Sequence, residues 1–357
     1  MRWARSSLLH TGNGLEARPQ PAPSLTDERR QTVIVVGMET PLAIFRASPL
    51  QDAGRSGATL RRRAASDGPD RLVRVGPNAF VRGADWEAAG PRRRYVTRIF
   101  ARLGRRSVAA VGSHASAVAV HGLPLPGPWP DDVHLTVPKS HYRSGTRGLV
   151  LHTRPVPSAH LVEHGGVRFT SAARTVADIA LLGDVRAAVV VADAALRAGV
   201  ERASIVQALG GTAKDPGRAV ATRAVGLADP RSGSAAESLA RVVFREMGLP
   251  KPVLQQPFVV GGRRYEVDFW FPEQGVIVEV DGRAKYTQER FLAGRTADQV
   301  FIDEKRRHEA LLTVPGVRRI VRIEWRDLWD LDALTRRFRA AGLPCAVRPV
   351  RSARGVA

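Results

Sequence analysis

The chain has 357 residues, with 55 Lys and Arg against 34 Asp and Glu and a formal net charge of +21. That surplus favours polyanionic partners through steering and counterion release, and the length allows two or three domains that each bury a core. One cysteine, Cys345, excludes an internal disulfide framework and suits a reducing cytoplasm, while no apolar run reaches the ~18 residues of a membrane span and the start lacks a signal peptide's apolar stretch.

Residues 1–37 are rich in Arg, Pro, Gly and Ser, and are expected to be disordered or an over-extended start ahead of Met38. Over 38–85, Thr40 as N-cap and Pro41 at the first helical position predict a short helix at Pro41–Phe45. A second helix is expected at Ala58–Ala65, carrying Arg61, Arg62 and Arg63. A β-ribbon follows at Arg71–Arg82, with Arg71 and Arg74 on it and a turn at Gly76-Pro77-Asn78. Helix, helix and basic ribbon make the outline of a winged helix-turn-helix. Such a module lays one helix in a DNA major groove and sets its arginines on phosphates. The plain alternative is that Arg61–Arg63 form a solvated helix face.

The character changes over 86–226. The block Gly112-Ser113-His114 to Gly122-Leu123, a strand at Asp132–Val137, and Thr170-Ser171 through Arg174 to Asp178 mark an α/β middle domain. Together with the ribbon before it, this combination resembles the AbiEi family of type IV antitoxins and transcriptional regulators. The resemblance implies DNA-binding autoregulation and a cognate nucleotidyltransferase toxin as partner. His114 and His121, seven residues apart, share a helical face as zinc ligands sometimes do, but no cysteine or third ligand accompanies them. Thr170 or Ser171 is read as the cap of a helix on which Arg174 and Asp178 pair one turn apart. The apolar run Arg186–Arg197 predicts a buried helix that stops at Gly199. No Walker loop or glycine-rich dinucleotide fingerprint occurs.

The last domain is placed at 227–345, ahead of a basic tail at 346–357. Ser234-Ala-Ala-Glu237 is a capping box that opens a helix through Met247. The alternation in Arg264–Phe271 and Val276–Asp281 predicts a hairpin around Pro272-Glu-Gln-Gly275. A turn centred between Glu273 and Gln274 sets Asp268 opposite Glu279 and Glu266 opposite Asp281. All four carboxylates then share one face. Like charges so opposed are destabilising, which calls for a divalent cation or for a solvated edge that tolerates them. A helix over Ala297–Leu312 is expected to bury Val300, Phe301, His308, Leu311 and Leu312. Lys305, Arg306 and Arg307 fall on its other faces, as phosphate contacts or ordinary solvated charge. Arg319–Trp325 reads as a strand with Val321, Ile323 and Trp325 on one face, and Asp327 as the cap of a final helix.

Asp268, ten residues, then Glu279-Val-Asp281-Gly-Arg-Ala-Lys285-Tyr resembles the core of the PD-(D/E)XK nucleases, and more narrowly the very-short-patch-repair-like endonuclease domains. The resemblance runs from about Ser232 to about Leu343. It implies a restriction-endonuclease-like α/β/α domain that hydrolyses DNA with Mg2+ or Mn2+. Asp268, Glu279 and Asp281 would hold the metal, with Lys285 and Glu237 assisting. One departure stands out: the superfamily's usual lysine position is occupied by Asp281, so that role falls to Lys285 or Lys305, or is vacant. The expectation for the whole is therefore an α/β (α+β) multidomain protein, a DNA endonuclease behind a regulator-like module. The competing expectation is a non-catalytic DNA-binding regulator with a degenerate nuclease fold. A weaker third is an RNA-directed nuclease.

Overall fold

Three sheets and eleven α-helices make up the described part of this mixed α/β chain, residues 40–46, 57–68, 70–104, 110–142, 145–210, 215–281 and 297–346 of the computed structural model. Among the described residues, no helix is long and apolar enough to cross a membrane.

The first sheet joins β1 (Phe45–Arg46), β2 (Leu72–Gly76) and β3 (Ala79–Arg82) in the antiparallel order β1-β3-β2. Helix α1 (Gly57–Ala64) precedes the ribbon, and Asn78 takes the turn at a positive φ of 54° that asparagine tolerates. Helix α1 and the ribbon match the sequence expectation; the helix at Pro41–Phe45 does not. Those residues run extended into β1. The reason is tertiary: the Leu42 N–H donates to Thr97 Oγ1 at 3.0 Å, and Leu42 is buried among Val75, Val81 and Ala101. Thr40 caps nothing; its carbonyl accepts from Arg93 Nε. A five-residue helix has too few bonds to resist such anchoring.

After α2 (Gly83–Ala88) and α3 (Pro91–Leu103), the second sheet combines β4 (Val111–Gly112), β5 (Val133–Thr136), β6 (Leu149–His152), β7 (Leu161–His164) and β8 (Val167–Thr170) in the order β6-β5-β4-β8-β7. The β5/β6 and β4/β8 pairs are parallel. At Gly112 an added Cβ would sit 2.4 Å from the Phe169 ring, so the closest strand approach requires glycine there. Helix α4 (His114–Val120) and α3 cover this sheet through Tyr95, Ile99, Leu135 and Phe169. An Ala- and Val-rich core then joins α5 (Ala172–Leu181), α6 (Val185–Arg197), α7 (Arg202–Leu209) and α8 (Arg218–Leu227). Ser171 accepts from the Arg174 N–H as its expected cap role requires.

Helix α9 (Ala235–Glu246) belongs to two cores at once. Val242 packs with α6 and its neighbours, while Leu239, Val243 and Phe244 pack on the third sheet. Buried Asp193 on α6 receives Arg241 of α9 at 2.7 Å, and Arg186 pairs with Glu246. The third sheet has the order β12-β11-β10-β9, built from β9 (Val253–Val260), β10 (Arg263–Phe271), β11 (Val276–Asp281) and β12 (Arg319–Glu324). The β9/β10 and β10/β11 pairs are antiparallel; β11 and β12 are parallel, linked through α10 (Ala297–Leu312). Helices α9 and α11 (Leu331–Ala340) cover one face, with Phe244 edge-on to Phe269 and Phe338, contacts each adding about 0.5–1.5 kcal/mol beyond area burial. Helix α10 covers the other through Leu311, against Val267 and Ile277.

The expected hairpin register is met: Phe269 faces Val278, Trp270 faces Ile277 and Phe271 faces Val276. Gly275 closes the turn at φ 66°, and an added Cβ there would meet the Gly316 carbonyl at 2.5 Å. Two smaller expectations fail in α10 and after β12. Leu312 is exposed, and His308 only half-buried, because the stripe that faces the sheet is narrower than expected; the Val300 and Phe301 side chains lie outside the described residues. The final helix is capped by Asp330, which accepts from Ala333 N–H, while Asp327 serves a short 3-10 turn with Glu324.

Candidate functional site

The hairpin ladder ends where the acids begin. Phe269–Val278 is its last registered pair, and beyond it the Asp268 side chain takes over: Oδ2 accepts the Val280 N–H at 2.8 Å. A carboxylate here substitutes for a backbone carbonyl as β10 peels from β11. The faces also change. Tyr265 and Val267 pack on the α10 side, whereas Phe269 and Phe271, of the same parity, pack on the α9 side. Strand β9 is distorted at the matching place, for Gln255 has φ 52° and falls opposite Asp268, between the pairs Leu254–Phe269 and Gln256–Val267.

This switch separates the four acids. Glu266 is exposed beside Arg264, rather than joined with Asp281 on a common face. Glu279 is buried and held by Arg307 of α10: Nη1 donates to Oε2 at 2.9 Å, and Nη2 donates to the Glu266 carbonyl at 2.8 Å. Nη2 also approaches Glu279 Oε1 to 2.6 Å without a directed hydrogen bond, so Oε1 is neutralised yet lacks an aligned donor. Arg322 Nε lies 3.8 Å from Oε2, and Arg322 and Arg307 both reach Glu304. Burial works against the Arg307 charge, but Glu279, Glu304 and Asp268 outweigh it and raise its pKa. The compensation expected from a cation is thus supplied here by guanidinium groups.

Glu237 keeps its capping position: its N–H donates to Ser234 Oγ, and its carboxylate reaches back to Gly233 N–H at 2.7 Å, one residue beyond the cap itself. The same oxygen accepts from Gln255 Nε2 at 2.7 Å. Glu237 is therefore linked through Gln255 to the strand position facing Asp268. Asp281 ends β11, half-buried; Lys285 lies outside the described residues. Among the described residues no group of three or more His, Cys, Asp or Glu is arranged to hold a metal ion. The donors at Asp268 and Glu279 are nonetheless hard carboxylate oxygens, and Mg2+ commonly binds one or two carboxylates while keeping its waters.

The basic residues divide. Arg61 and Arg62 on α1 are exposed, while Arg63 reaches Asp70 at 3.4 Å and Arg71 reaches Glu87 at 2.9 Å. Arg74 stays exposed on β2, its Nε 3.4 Å from the Gly76 carbonyl. On α10, Lys305 and Arg306 face solvent and Arg307 turns inward to Glu279.

A second polar cluster lies in the middle sheet. His134 Nδ1 and His152 Nε2 are 3.1 Å apart, across the parallel β5/β6 pair, and His114 stacks on His152 with centroids 3.4 Å apart. Burial lowers the His134 and His152 pKa values to about 4 and holds His114 well below the ordinary range. His121 is not part of this group; its Nε2 contacts the Thr170 carbonyl at 2.7 Å. Arg174 Nε donates to Asp178 Oδ1 at 2.7 Å, as expected, and burial raises the Asp178 pKa to about 6 against the pull of Arg174. Sequence reasoning missed Gln255, Glu304, Arg322, His134 and His152. Parallel pairing of distant strands and one left-handed glutamine leave no periodic signal.

Two uncharacterized proteins of Mycobacterium tuberculosis, one in each of two strains, are each 32% identical to this chain over 181 residues, 50% of its length. The match spans 64% of each relative, just under two thirds of their length. No protein-family model matches the chain, and neither does any solved structure.

Proposed function

We propose that the C-terminal part is a Mg2+- or Mn2+-dependent DNA endonuclease, carried behind a winged-helix-like, AbiEi-like DNA-binding module. The observation that carries this reading is the Asp268 carboxylate seated on Val280 N–H, beside Glu279, at the point where β10 leaves β11. Support also comes from the order α9, three antiparallel strands, α10 and a parallel fourth strand, with helices on both faces. That is the arrangement expected of the PD-(D/E)XK resemblance. For the N-terminal module, support comes from the β1-β3-β2 sheet with α1 ahead of its ribbon and two exposed arginines on that helix.

Asp268 and Glu279 would hold the ion, with Asp281 adjacent. The ion supplies a water of lowered pKa and neutralises charge on the scissile phosphate. Glu237 and Gln255 fix the backbone facing Asp268, and Arg307 and Arg322 provide cationic donors suited to phosphate oxygens. DNA is the partner this reading names, with a nucleotidyltransferase toxin as a second partner and the cytoplasm as the compartment.

A specific contact favours the second reading, a non-catalytic DNA-binding regulator. Arg307 already neutralises Glu279, as it would in a nuclease fold that has dispensed with its metal. Supercoiled plasmid incubated with the full chain and Mg2+ or Mn2+ separates the two. Nicking that requires metal and disappears in Asp268→Ala and Glu279→Ala supports the nuclease. Intact plasmid, together with tight and salt-sensitive duplex binding, supports the regulator.

A further inference from the structure

A cavity of about 560 Å³, lined by none of the acids of the third sheet, opens beside β6 and α5. Its volume lies within the range of small-molecule sites. The walls mix three chemistries. The stacked imidazoles of His114 and His152 are joined by the exposed Tyr142. Leu151, Leu181 and Leu182 supply apolar surface, and Leu182 is 57% exposed, a large aliphatic group left toward solvent. Lys139 and Arg154 supply positive charge, and Asp178, the one acid among the described lining residues, is matched by buried Arg174.

Two further observations set this cavity apart from an ordinary surface cleft. The buried Arg174–Asp178 pair is incomplete: Nη2 of Arg174 and Oδ2 of Asp178, one donor and one acceptor, have no hydrogen-bond partner although both residues are more than nine-tenths buried. Such groups are uncommon in folded proteins and costly when left unmet. In addition, His114 holds φ 51°, a left-handed backbone uncommon for a residue other than glycine. That strained residue presents its ring on His152 at the cavity wall.

We propose that this cavity binds a nucleotide unit, its base against the His114–His152 imidazoles and Tyr142, its phosphate between Lys139 and Arg154. Flat faces favour a heteroaromatic ring, two cations favour an anion, and the apolar walls exclude a bare inorganic ion as the whole ligand. A free mononucleotide and a nucleotide within a single strand share this chemistry. The site is independent of the acids around Asp268, so it stands or falls separately from nuclease activity.

The test is calorimetric titration of the full chain with the four nucleoside monophosphates, inorganic phosphate and a short single-stranded oligonucleotide. Lys139→Glu and His152→Ala run alongside, and a melting curve confirms that each variant is folded. Lys139 is exposed, so its variant keeps the fold. The expected result is binding of at least one monophosphate, with phosphate alone much weaker and both variants weakened by about tenfold or more. Oligonucleotide binding without monophosphate binding also supports the site if both variants weaken it, and identifies a strand as the source. Binding that neither variant changes, or no binding by any of these probes at millimolar concentration, overturns the proposal.

Discussion

The middle sheet and the C-terminal sheet each gather polar side chains against a covering helix, and they balance charge in opposite ways. Around His114, His134 and His152 burial removes charge: the imidazoles are held neutral, and Asp178 is pushed up toward neutrality beside Arg174. Around Asp268 and Glu279 charge is kept and opposed, by Arg307 from α10 and Arg322 from β12. A neutral cluster is built for burial and answers to pH. A charged cluster with long-chain cations can exchange one partner for another, a metal or a phosphate for a guanidinium.

The largest effect should come from breaking the buried pair in the middle domain. Arg174→Met leaves Asp178 uncompensated and should cost about 3–5 kcal/mol in urea unfolding, whereas Arg174→Met combined with Asp178→Leu should recover much of that loss. A double variant no better than the single would mean that the pair's Coulombic partner is not what matters there.

Acid should act on the same region. Folded-state pKa values of about 4 for His134 and His152 lie below their ordinary 6.5. Stability is therefore full above pH 6.5 and is lost as pH falls toward 4, where the unfolded chain takes up protons that the folded chain refuses. Asp178 opposes this between about pH 6 and 3.8, because its raised pKa favours the folded state on acidification. With His114 on the side of loss, the imidazoles prevail and the melting temperature should drop. In His134→Gln with His152→Gln, the decline between pH 6.5 and 4 should flatten; an unchanged slope would place the sensitivity elsewhere.

In the C-terminal sheet, Arg307→Ala should cost about 1–3 kcal/mol, the loss of charged hydrogen bonds at a partly exposed arginine. Millimolar Mg2+ should then raise the melting temperature of this variant more than that of the parent, as the freed Glu279 gains a cation. Equal shifts would deny that guanidinium and metal compete. Smallest in stability is the pair Arg61→Ala and Arg62→Ala, both exposed, which should stay within about 0.5 kcal/mol of the parent. Its effect should lie in DNA affinity, with the logarithmic salt slope shallower by about 2.

Much of the frame was legible in the sequence because it rests on local periodicity. Alternation and a turn centred between Glu273 and Gln274 set the hairpin register at Phe269–Val278, and Ser171, Ser234 and the i,i+4 pair at Arg174 and Asp178 are rules of single helices. Expectations failed where distant contacts decide. The N-terminal segment is drawn into β1 by Thr97, more than fifty residues away. The common face of four acids was lost to a face switch at Gln255 and Asp268, which strict alternation has no means to express. Arg307 read as one of three phosphate-binding or solvated charges because its helix position alone did not reveal an acid across the sheet.

The central claim, a cation held between Asp268 and Glu279, is tested most directly by Mn2+ binding to the full chain, followed by electron paramagnetic resonance. Binding in the parent, loss in Asp268→Asn and in Glu279→Gln, and tighter binding in Arg307→Ala are the predicted results. Parent and acid variants that bind Mn2+ alike, or no Mn2+ binding by either the parent or Arg307→Ala, would contradict it.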